Sequence, residues 1–374
     1  MGSVKDLIIL KLAFENKQGL GDFNFSDRYS VFDWGEMPDH IVNKGRALAV
    51  MAAFNFEELE RRGIPTHFVG LVRNGKVVKF SDLEEGGNGS HIMRVNMAVK
   101  YEPIERKFVD DISSIDIPVC EGNVRTEYNY SFFVNNRGKI NNYLLPLEII
   151  FRNGLPLGSS VFDKIGDAKE IEDSQEREEA LQNIYAKLGI TSGPQPGQML
   201  PKPVMSYTTK LEAGDRILSE GDAYFISGLT KEKFEEVPSL AMKVNEMITE
   251  QCDKTGLKPH WDGKVEMVYF NGQLYIVDVV GTLDEDRMGN LVSKELLRQW
   301  YKKFQPEFAP ACKEWKKTGD GWQEKCPVKP VNLPSEFATL VSQMYMAAAN
   351  QYVERRIFDT PPLEEVMAKL EMFK

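Results

Sequence analysis

The stretch from Asp262 to Arg287 holds the densest set of side chains suited to chemistry. Glu266 and Asp278 stand on the two arms of a predicted hairpin around Asn271-Gly272, a dipeptide that favours a tight turn. If the loop takes three residues, or one bulge intervenes, Glu266 lies directly opposite Asp278, with Val265, Met267, Val277 and Val279 on the other face. Facing carboxylates repel unless one is protonated or a cation sits between them. A magnesium ion carrying nucleotide phosphates suits such a pair, because Mg2+ takes hard oxygen ligands and often only one or two carboxylates from the protein. In a strict two-residue turn the two side chains face opposite sides of the sheet, and the argument fails. Asp262 and Lys264 precede on the same strand, and Thr282, Asp284 and Arg287 follow the hairpin, so polar groups gather at one end.

Three further clusters have the right composition for anion binding. Arg152 ends a predicted strand and is followed by Gly158, Ser159 and Ser160, a set that could cradle a phosphate monoester or form a salt bridge between elements. Thr208, Thr209 and Lys210, with Glu212, Gly214 and Asp215, could contact nucleotide or substrate, and equally could open a helix. Ser26, Asp27 and Arg28, with Ser30 and Asp33, suit a loop that orients phosphate or hydroxyl groups, although a turn with one exposed ion pair explains them as well. Lys44-Gly45-Arg46 places two cations at the start of a predicted helix, where most such charges only solvate the surface. A G-x-x-x-x-G-K-[ST] phosphate loop is absent, so any ATP must be held by another architecture. The histidines at 40, 67, 91 and 260 stand singly, and His67 reads as a core residue rather than a catalyst.

The elements that must position these groups follow from pattern. Val4 to Ala13 fits a buried strand or hairpin, Lys44 to Arg62 a helix stopped by Gly63, and Thr66 to Phe80 two strands around Asn74-Gly75. The acidic, glycine-rich residues 81–90 mark a loop or lobe boundary, and strands dominate from His91 to Phe151. Lys169 to Leu188 reads as one charged helix, and the Pro/Gly-rich Thr191 to Pro203 as a long, lid-like loop. Ser239 is a candidate N-cap for a helix to Thr255, Lys294 to Lys303 is helical, and a Lys/Gly/Pro-rich interlude from Cys312 to Pro334 precedes a helix from Ser335 to Ile357 and a short one after Pro362. The sum is an α+β chain without internal repeats.

Composition narrows the class. A chain of 374 residues has room for two or three packed lobes. Its hydrophobic content of 42% and charged content of 27% are those of a folded protein, not a disordered or fibrous one. A formal charge of −10 argues against broad attraction to nucleic acid or an anionic membrane. The four cysteines never form a C-x-x-C, so neither a disulfide framework nor a thiolate zinc site is indicated. No signal pattern or membrane-length apolar run occurs, which makes the cytoplasm the expected location; a homo-oligomer stays open.

Taken in order, the segments resemble the SAICAR synthase family, ATP-dependent ligases of purine biosynthesis that join aspartate to a carboxyaminoimidazole ribotide (CAIR). GSVKDL at 2–7, SDRYSVFD at 26–33, KGRALAVMAAFNFEEL at 44–59 and GIPTHF at 63–68 are similar to family segments. PLEIIFRNGLPLGSS at 146–160, YTTKLEAGD at 207–215, WDGKVEMVYFNGQLYIVD with VVGTLDEDR across 261–287, SKELLRQWY at 293–301 and LPSEFATLVSQMYMAAANQYVE at 333–354 continue the series. Departures cluster on the substrate side: Glu285-Asp286 stand where two small residues are usual before Arg287, Leu283 where proline is, Val279 where glutamate is, and Arg216-Ile217-Leu218 where His-Asp-Glu is common.

The resemblance implies a two-lobed fold, with a small β-rich N-terminal lobe at 1–85, a larger ATP-grasp-like lobe at 86–303, and an insertion with C-terminal helices at 304–374. It implies ATP and Mg2+, held by Glu266 and Asp278 as metal ligands, with Val4, Lys5 and Lys210 on the nucleotide side. Arg152, Ser159 or Ser160, Lys264 and Arg287 would hold the ribotide phosphate and carboxylate, with Asp262 near its amino group. Asp262, Lys264 and Arg287 would thus serve the reacting end, while Ser26, Asp27 and Arg28 would wall the amino acid from the nucleotide. The partners implied are small molecules. A divergent relative acting on another carboxylate or amine, and a nucleotide-binding protein without turnover, are the two alternatives.

Overall fold

The computed structural model describes residues 5–109, 124–212, 214–289, 292–319 and 321–373. The N-terminal apolar run forms β1 (Lys5–Lys11), antiparallel to β2 (Gly19–Phe25). With β3 (Phe68–Arg73), β4 (Lys76–Val78) and β5 (Ile92–Met97) it makes an antiparallel sheet ordered β1-β2-β5-β3-β4. Helix α1 (Lys44–Arg61), stopped ahead of Gly63 as the pattern predicts, packs on β2, β3 and β5 and buries Ala47 through Ala53 completely or nearly so. The expected burial of the first strand does not occur. β1 is the sheet edge, and Leu7, Ile8, Ile9 and Leu10 keep 47 to 53% of their surface exposed. An apolar run specifies a strand, but whether that strand is central or marginal depends on partners far along the chain.

A two-stranded ladder, β6 (Ile104–Val109) with β7 (Val124–Asn129), and the short α2 (Ser131–Asn135) lead to the larger sheet. It contains β8 (Tyr143–Leu144), β9 (Leu147–Leu155), β10 (Gln198–Thr209), β11 (Ile217–Leu218), β12 (His260–Phe270), β13 (Gln273–Val277) and β14 (Arg287–Met288). The order is β11-β10-β9-β12-β13, with β8 and β14 also paired to β12, every pairing antiparallel.

Between β9 and β10 the expected single charged helix is two, α3 (Ser160–Lys169) and α4 (Ser174–Leu188). Asp173 starts the second by accepting hydrogen bonds of 2.8 Å from the Gln175 and Glu176 amides, a stronger local signal than the uninterrupted run of charge. Much of the expected loop at 191–203 is the first half of β10, and its prolines 201 and 203 fall where the β9 register shifts between Met199 and Val204.

Two helices, α5 (Glu220–Ser227) and α6 (Lys231–Thr255), connect β11 to β12. α6 begins eight residues before the expected cap Ser239, because Thr230 caps it and Phe234, Val237, Ala241 and Val244 bury one face through Pro238. The C-terminal region is α7 (Glu295–Phe304), α8 (Phe308–Trp315), α9 (Trp322–Lys325), α10 (Ser335–Val353) and α11 (Leu363–Leu370). α8 and α9 thus structure the interlude expected to be irregular. α10 lies against α1, so one continuous core joins both sheets and the terminal helices. Cys252, Cys312 and Cys326 are buried free thiols; Cys120 lies outside the described residues. Among the described residues no helix is long and apolar enough to cross a membrane. If Thr230 is the cap, Thr230→Ala should cost about 1 kcal/mol in denaturant unfolding. Ser239→Ala should then stay within about 0.5 kcal/mol of the parent, and the reverse order would place the helix start at Ser239.

Candidate active site

Strand periodicity builds the floor of a cleft of about 1040 Å³ between the two sheets. Glu148, Ile150 and Arg152 alternate along β9, and Asp262, Lys264 and Glu266 along β12, so each set lines the same face. The register sets Asp262 beside Arg152 and Lys264 beside Ile150. On the other flank Arg287 of β14 pairs with Asp262 and grips it with a fork: Nε donates to Oδ1 at 2.7 Å and Nη2 to Oδ2. A third donor, Nη1, reaches the Gly158 carbonyl at 3.1 Å, while Arg152 Nε is 3.9 Å from Asp262 Oδ2. Gly158 has φ +77°, and a Cβ there would lie 2.4 Å from Glu295 Oε1, so this corner requires glycine. Of the two candidate serines, Ser160 faces the cleft, whereas Ser159 is buried and caps α3 through the Val161 amide at 3.4 Å.

The hairpin takes the strict two-residue turn, with Phe270 opposite Gln273 and Glu266 opposite Val277. Direct opposition of Glu266 and Asp278 therefore does not occur. The two carboxylates nevertheless share the cleft, because β13 ends at Val277 and Asp278 takes a left-handed backbone, φ +64°, that swings its side chain back to the Glu266 side. His67 supports this turn, its Nε2 lying 3.2 Å from the Asp278 carbonyl. Burial pushes the His67 imidazole down to about 4, so the ring is neutral and donates that bond. It is a satisfied core histidine, as its setting in the sequence suggests.

From this convergence a chain of alternating charge crosses the floor. Lys264 Nζ lies 2.7 Å from Glu148 Oε1, Lys210 Nζ 3.2 Å from the same oxygen and 2.6 Å from Glu266 Oε1, and Lys5 Nζ of β1 2.5 Å from Asp278 Oδ1. Burial opposes every charge here, but the partners decide the outcome. Glu148 is held below its ordinary range by Lys264 and Lys210. Asp278 is held below by Lys5 and Lys210, and Lys210 is held above by Glu266. Glu266 alone goes the other way: burial, then the Asp278 charge, push it up to about 7. Its Oε1 carries the 2.6 Å ion pair to Lys210, which opposes this rise.

Glu148 was not singled out from the sequence. Its signal was a lone acid inside the apolar run Leu147-Phe151, since a buried strand keeps a carboxylate only when something pairs with it.

A buried carboxyl raised by a second carboxylate beside it is a donor pair that a hard divalent cation takes, and no cluster of three or more metal-binding side chains occurs among the described residues. Glu266 and Asp278 thus fit Mg2+ only if other ligands complete its shell, as nucleotide phosphates do. The wall above them is apolar, formed by Leu7, Phe23, Val95, Met97, Leu144 and Val268.

The remaining expected residues divide. Lys5 and Lys210 line the cleft; Val4 lies outside the described residues. Ser26, Asp27 and Arg28 are not part of its wall. Asp27 accepts from the Asn43 and Gly45 amides at 3.1 and 3.0 Å, which makes it the anion at the N-terminus of α1, and Arg28 reaches the site only through Asp6, at 2.8 Å. Their neighbours Ser30, Phe32 and Asp33 are the ones that line it. Lys44 is fully buried against Asp284, 2.6 Å away, so it is neither a surface charge nor a free anion site.

The SAICAR synthetase family model matches residues 11–314. The chain belongs to the SAICAR synthetase family, ATP-dependent ligases of purine biosynthesis. It is 40% identical, over 99% of both chains, to an Archaeoglobus fulgidus protein named provisionally as a phosphoribosylaminoimidazole-succinocarboxamide synthase. It is 31% identical to the phosphoribosylaminoimidazole-succinocarboxamide synthase of Thermoplasma acidophilum, over 75% of this chain and 77% of that one. The fold is that of the SAICAR synthase of Saccharomyces cerevisiae solved with SAICAR, with a TM-score of 0.57 and 17% identity over 95% of this chain and 94% of that chain.

Within the SAICAR synthetase pattern, the unusual Glu285-Asp286 pair has a structural account. Glu285 lies 3.3 Å from Lys264 Nζ and adds to the charge chain. Asp286 pairs with buried His260, Oδ1 to Nε2 at 2.9 Å, and fills the space above Gly263, where a Cβ would meet its Oδ1 at 2.0 Å. Leu283, in place of proline, is wholly buried in the core.

The raised Glu266 gives a signed pH prediction. A carboxyl whose folded value exceeds its unfolded one supports the fold below the ordinary carboxylate range and loses that support as pH rises through about 7. Glu266→Gln lacks this loss. The melting temperature of the ligand-free variant relative to the parent should therefore climb between pH 5 and pH 8, and a flat difference across that interval would show that Glu266 is not strained by burial.

Proposed function

We propose that this SAICAR synthetase joins L-aspartate to the carboxyl of CAIR at the expense of ATP, giving SAICAR, ADP and phosphate. The arrangement that carries the reading is one strand, β12, with Asp262 at the Arg152/Arg287 end, Glu266 at the Lys210/Asp278 end, and Lys264 between them. A ribotide phosphate suits the pocket of Arg152, Arg287 and Ser160, where guanidinium donors meet the first turn of α3. A triphosphate suits Lys5, Lys210, Glu266 and Asp278, with the purine against the apolar wall above. Lys264 then stands where the imidazole carboxylate and the transferred phosphoryl group meet.

In this reading the carboxylate attacks the γ-phosphorus and ADP leaves; the aspartate amine next attacks the acyl phosphate, loses a proton and expels inorganic phosphate. No enzyme nucleophile is required. Mg2+, when bound by Glu266 and Asp278, neutralises charge on the triphosphate. The chain's own work is orientation and electrostatic stabilisation. Lys264 leaves Glu148 and Glu285 for the substrate carboxylate, and Lys210 leaves Glu266 for phosphate oxygens. Asp262, held by two arginines, accepts from the ribotide amino group. For the amino acid we assign the remaining wall, Ser30, Phe32 and Asp33 with Lys294, Arg298 and Lys302, which recur every fourth residue and so share one face. That combination of cations and a hydroxyl suits a dicarboxylic amine. Residues 1–85, 86–303 and 304–374 remain our proposed division into lobes, although β5 at Ile92–Met97 joins the N-terminal sheet.

Purified protein supplied with ATP, Mg2+, CAIR and L-aspartate should release ADP and SAICAR together. ADP formed only with a different carboxylate would replace CAIR as substrate, and saturable ATP binding without turnover would remove the catalytic reading. Glu266→Gln and Asp278→Asn should each lower turnover by roughly 10²- to 10³-fold with circular dichroism unchanged. Near-normal rates in both variants would refute their assignment to metal and triphosphate.

A further inference from the structure

The loop that supplies Ser30, Phe32 and Asp33 to the cleft is held in an unfavourable backbone conformation. Phe32 and Asp33 are consecutive non-glycine residues in the left-handed region, φ +55° and +58°. L side chains, an aromatic one above all, adopt it only where the surroundings over-determine it. Within the loop two bonds bear on this: the Trp34 amide donates to the Val31 carbonyl at 3.2 Å, closing a turn over the two left-handed residues, and the Gly35 amide donates to Ser30 Oγ at 3.2 Å.

The other constraints come from nearly three hundred residues away. Phe308 of α8 meets the Phe32 ring edge-on at 5.8 Å and the Trp34 indole at 5.2 Å. Trp322 of α9 meets Trp34 at 5.4 Å, and Lys329 Nζ sits 5.5 Å from the same ring. Lys316, after α8, forms an ion pair with the Asp33 carboxylate, and Gln323 Nε2 donates to the Asp33 carbonyl at 3.4 Å. Both backbone and side chain of the left-handed residue are thereby held. Downstream, the Asp39 carboxylate accepts from Asn332 Nδ2 at 2.8 Å and from the Leu333 amide at 2.6 Å.

We infer that residues 308–319 and 321–329 are a positioning clamp for the amino-acid wall of the cleft, with Lys316 as its specificity-determining member. The inference rests on the assignment of that wall to the amine substrate. Lys316 does two things. It fixes the strained Phe32-Asp33 turn, and it offsets the charge of Asp33, an exposed carboxylate at the cleft mouth that would repel a dicarboxylate. Lys316 touches no reacting atom; it acts through Asp33.

The test uses Lys316→Met, a change at a partly exposed side chain that leaves the aromatic packing in place. KM for L-aspartate should rise about tenfold, with kcat and the KM values for ATP and CAIR within about twofold of the parent. Lys316→Arg should restore the parental KM. Hydrogen exchange of peptides covering 27–37 in the free protein should be faster in Lys316→Met and parental in Lys316→Arg. Because exchange needs no turnover, it judges the clamp even if the parent protein fails to use CAIR and aspartate, a failure that would strike only the proposed reaction. Unchanged exchange, or a parallel rise in all three KM values, would overturn the clamp.

Discussion

Three carboxylates and three lysines share the cleft floor, and the need to compensate each buried charge organises much of the molecule. An unpaired ion in such a setting is costly, so Lys264, Glu148, Lys210 and Glu266 alternate in sign across the large sheet, and Asp278, beside Glu266, is matched by Lys5 from the edge of the small one. Lys5 belongs to β1 and the others to the larger sheet and its loops, so the same contacts that neutralise the floor also hold the two sheets at a defined separation. Compensation is incomplete at one point. Glu266, beside Asp278, keeps a raised carboxyl despite its Lys210 partner, which is where a cation and phosphates would complete the set.

The rest of the fold can be understood as support for that line. β9 and β12 deliver its members by simple alternation, and antiparallel register sets Asp262 between Arg152 and Arg287. The return segment after β13 needs more help, because it leaves the sheet at a left-handed aspartate. α1 supplies it: Asn55 donates to the carbonyls of Val280 and Gly281 at 2.9 and 3.0 Å, and Lys44 pairs with Asp284. Tyr345 of α10 adds a hydrogen bond of 2.8 Å to Asp284. Burial pushes that carboxyl up, but Lys44, then Lys294, with the Tyr345 hydrogen bond, hold it below its ordinary range. The helix that looked like a carrier of surface cations is a buttress of the site.

Legibility followed the range of the interactions involved. The alternation Asp262, Lys264, Glu266 could be read directly, since a strand sends every second residue to one face. So could α1, its stop at Gly63, and the hairpin turn at Asn271-Gly272. The meeting of Glu266 with Asp278 was anticipated for a reason that proved incorrect: pairing across the hairpin does not bring them together, and the backbone at residue 278 does. Glu148 escaped notice because its lysine partners lie more than sixty positions away. Ser26, Asp27 and Arg28 drew attention by composition, yet the cleft takes Ser30, Phe32 and Asp33 from the same segment, because Asp27 is occupied with the α1 amides.

Side-chain periodicity and turn chemistry therefore settled α1, the hairpin at Asn271-Gly272 and which faces of β9 and β12 carry charge, while the resemblance of ordered short segments pointed to the ligase family. Packing between distant segments settled the remainder: β1 as an exposed edge, the left-handed turn at Asp278, and the hold of the α8–α9 region on Phe32 and Asp33. Each of these depends on a contact whose two halves are separated by tens to hundreds of residues. No window of sequence contains both halves, and the energies that select them, burial and charge compensation, exist only once the chain has closed on itself.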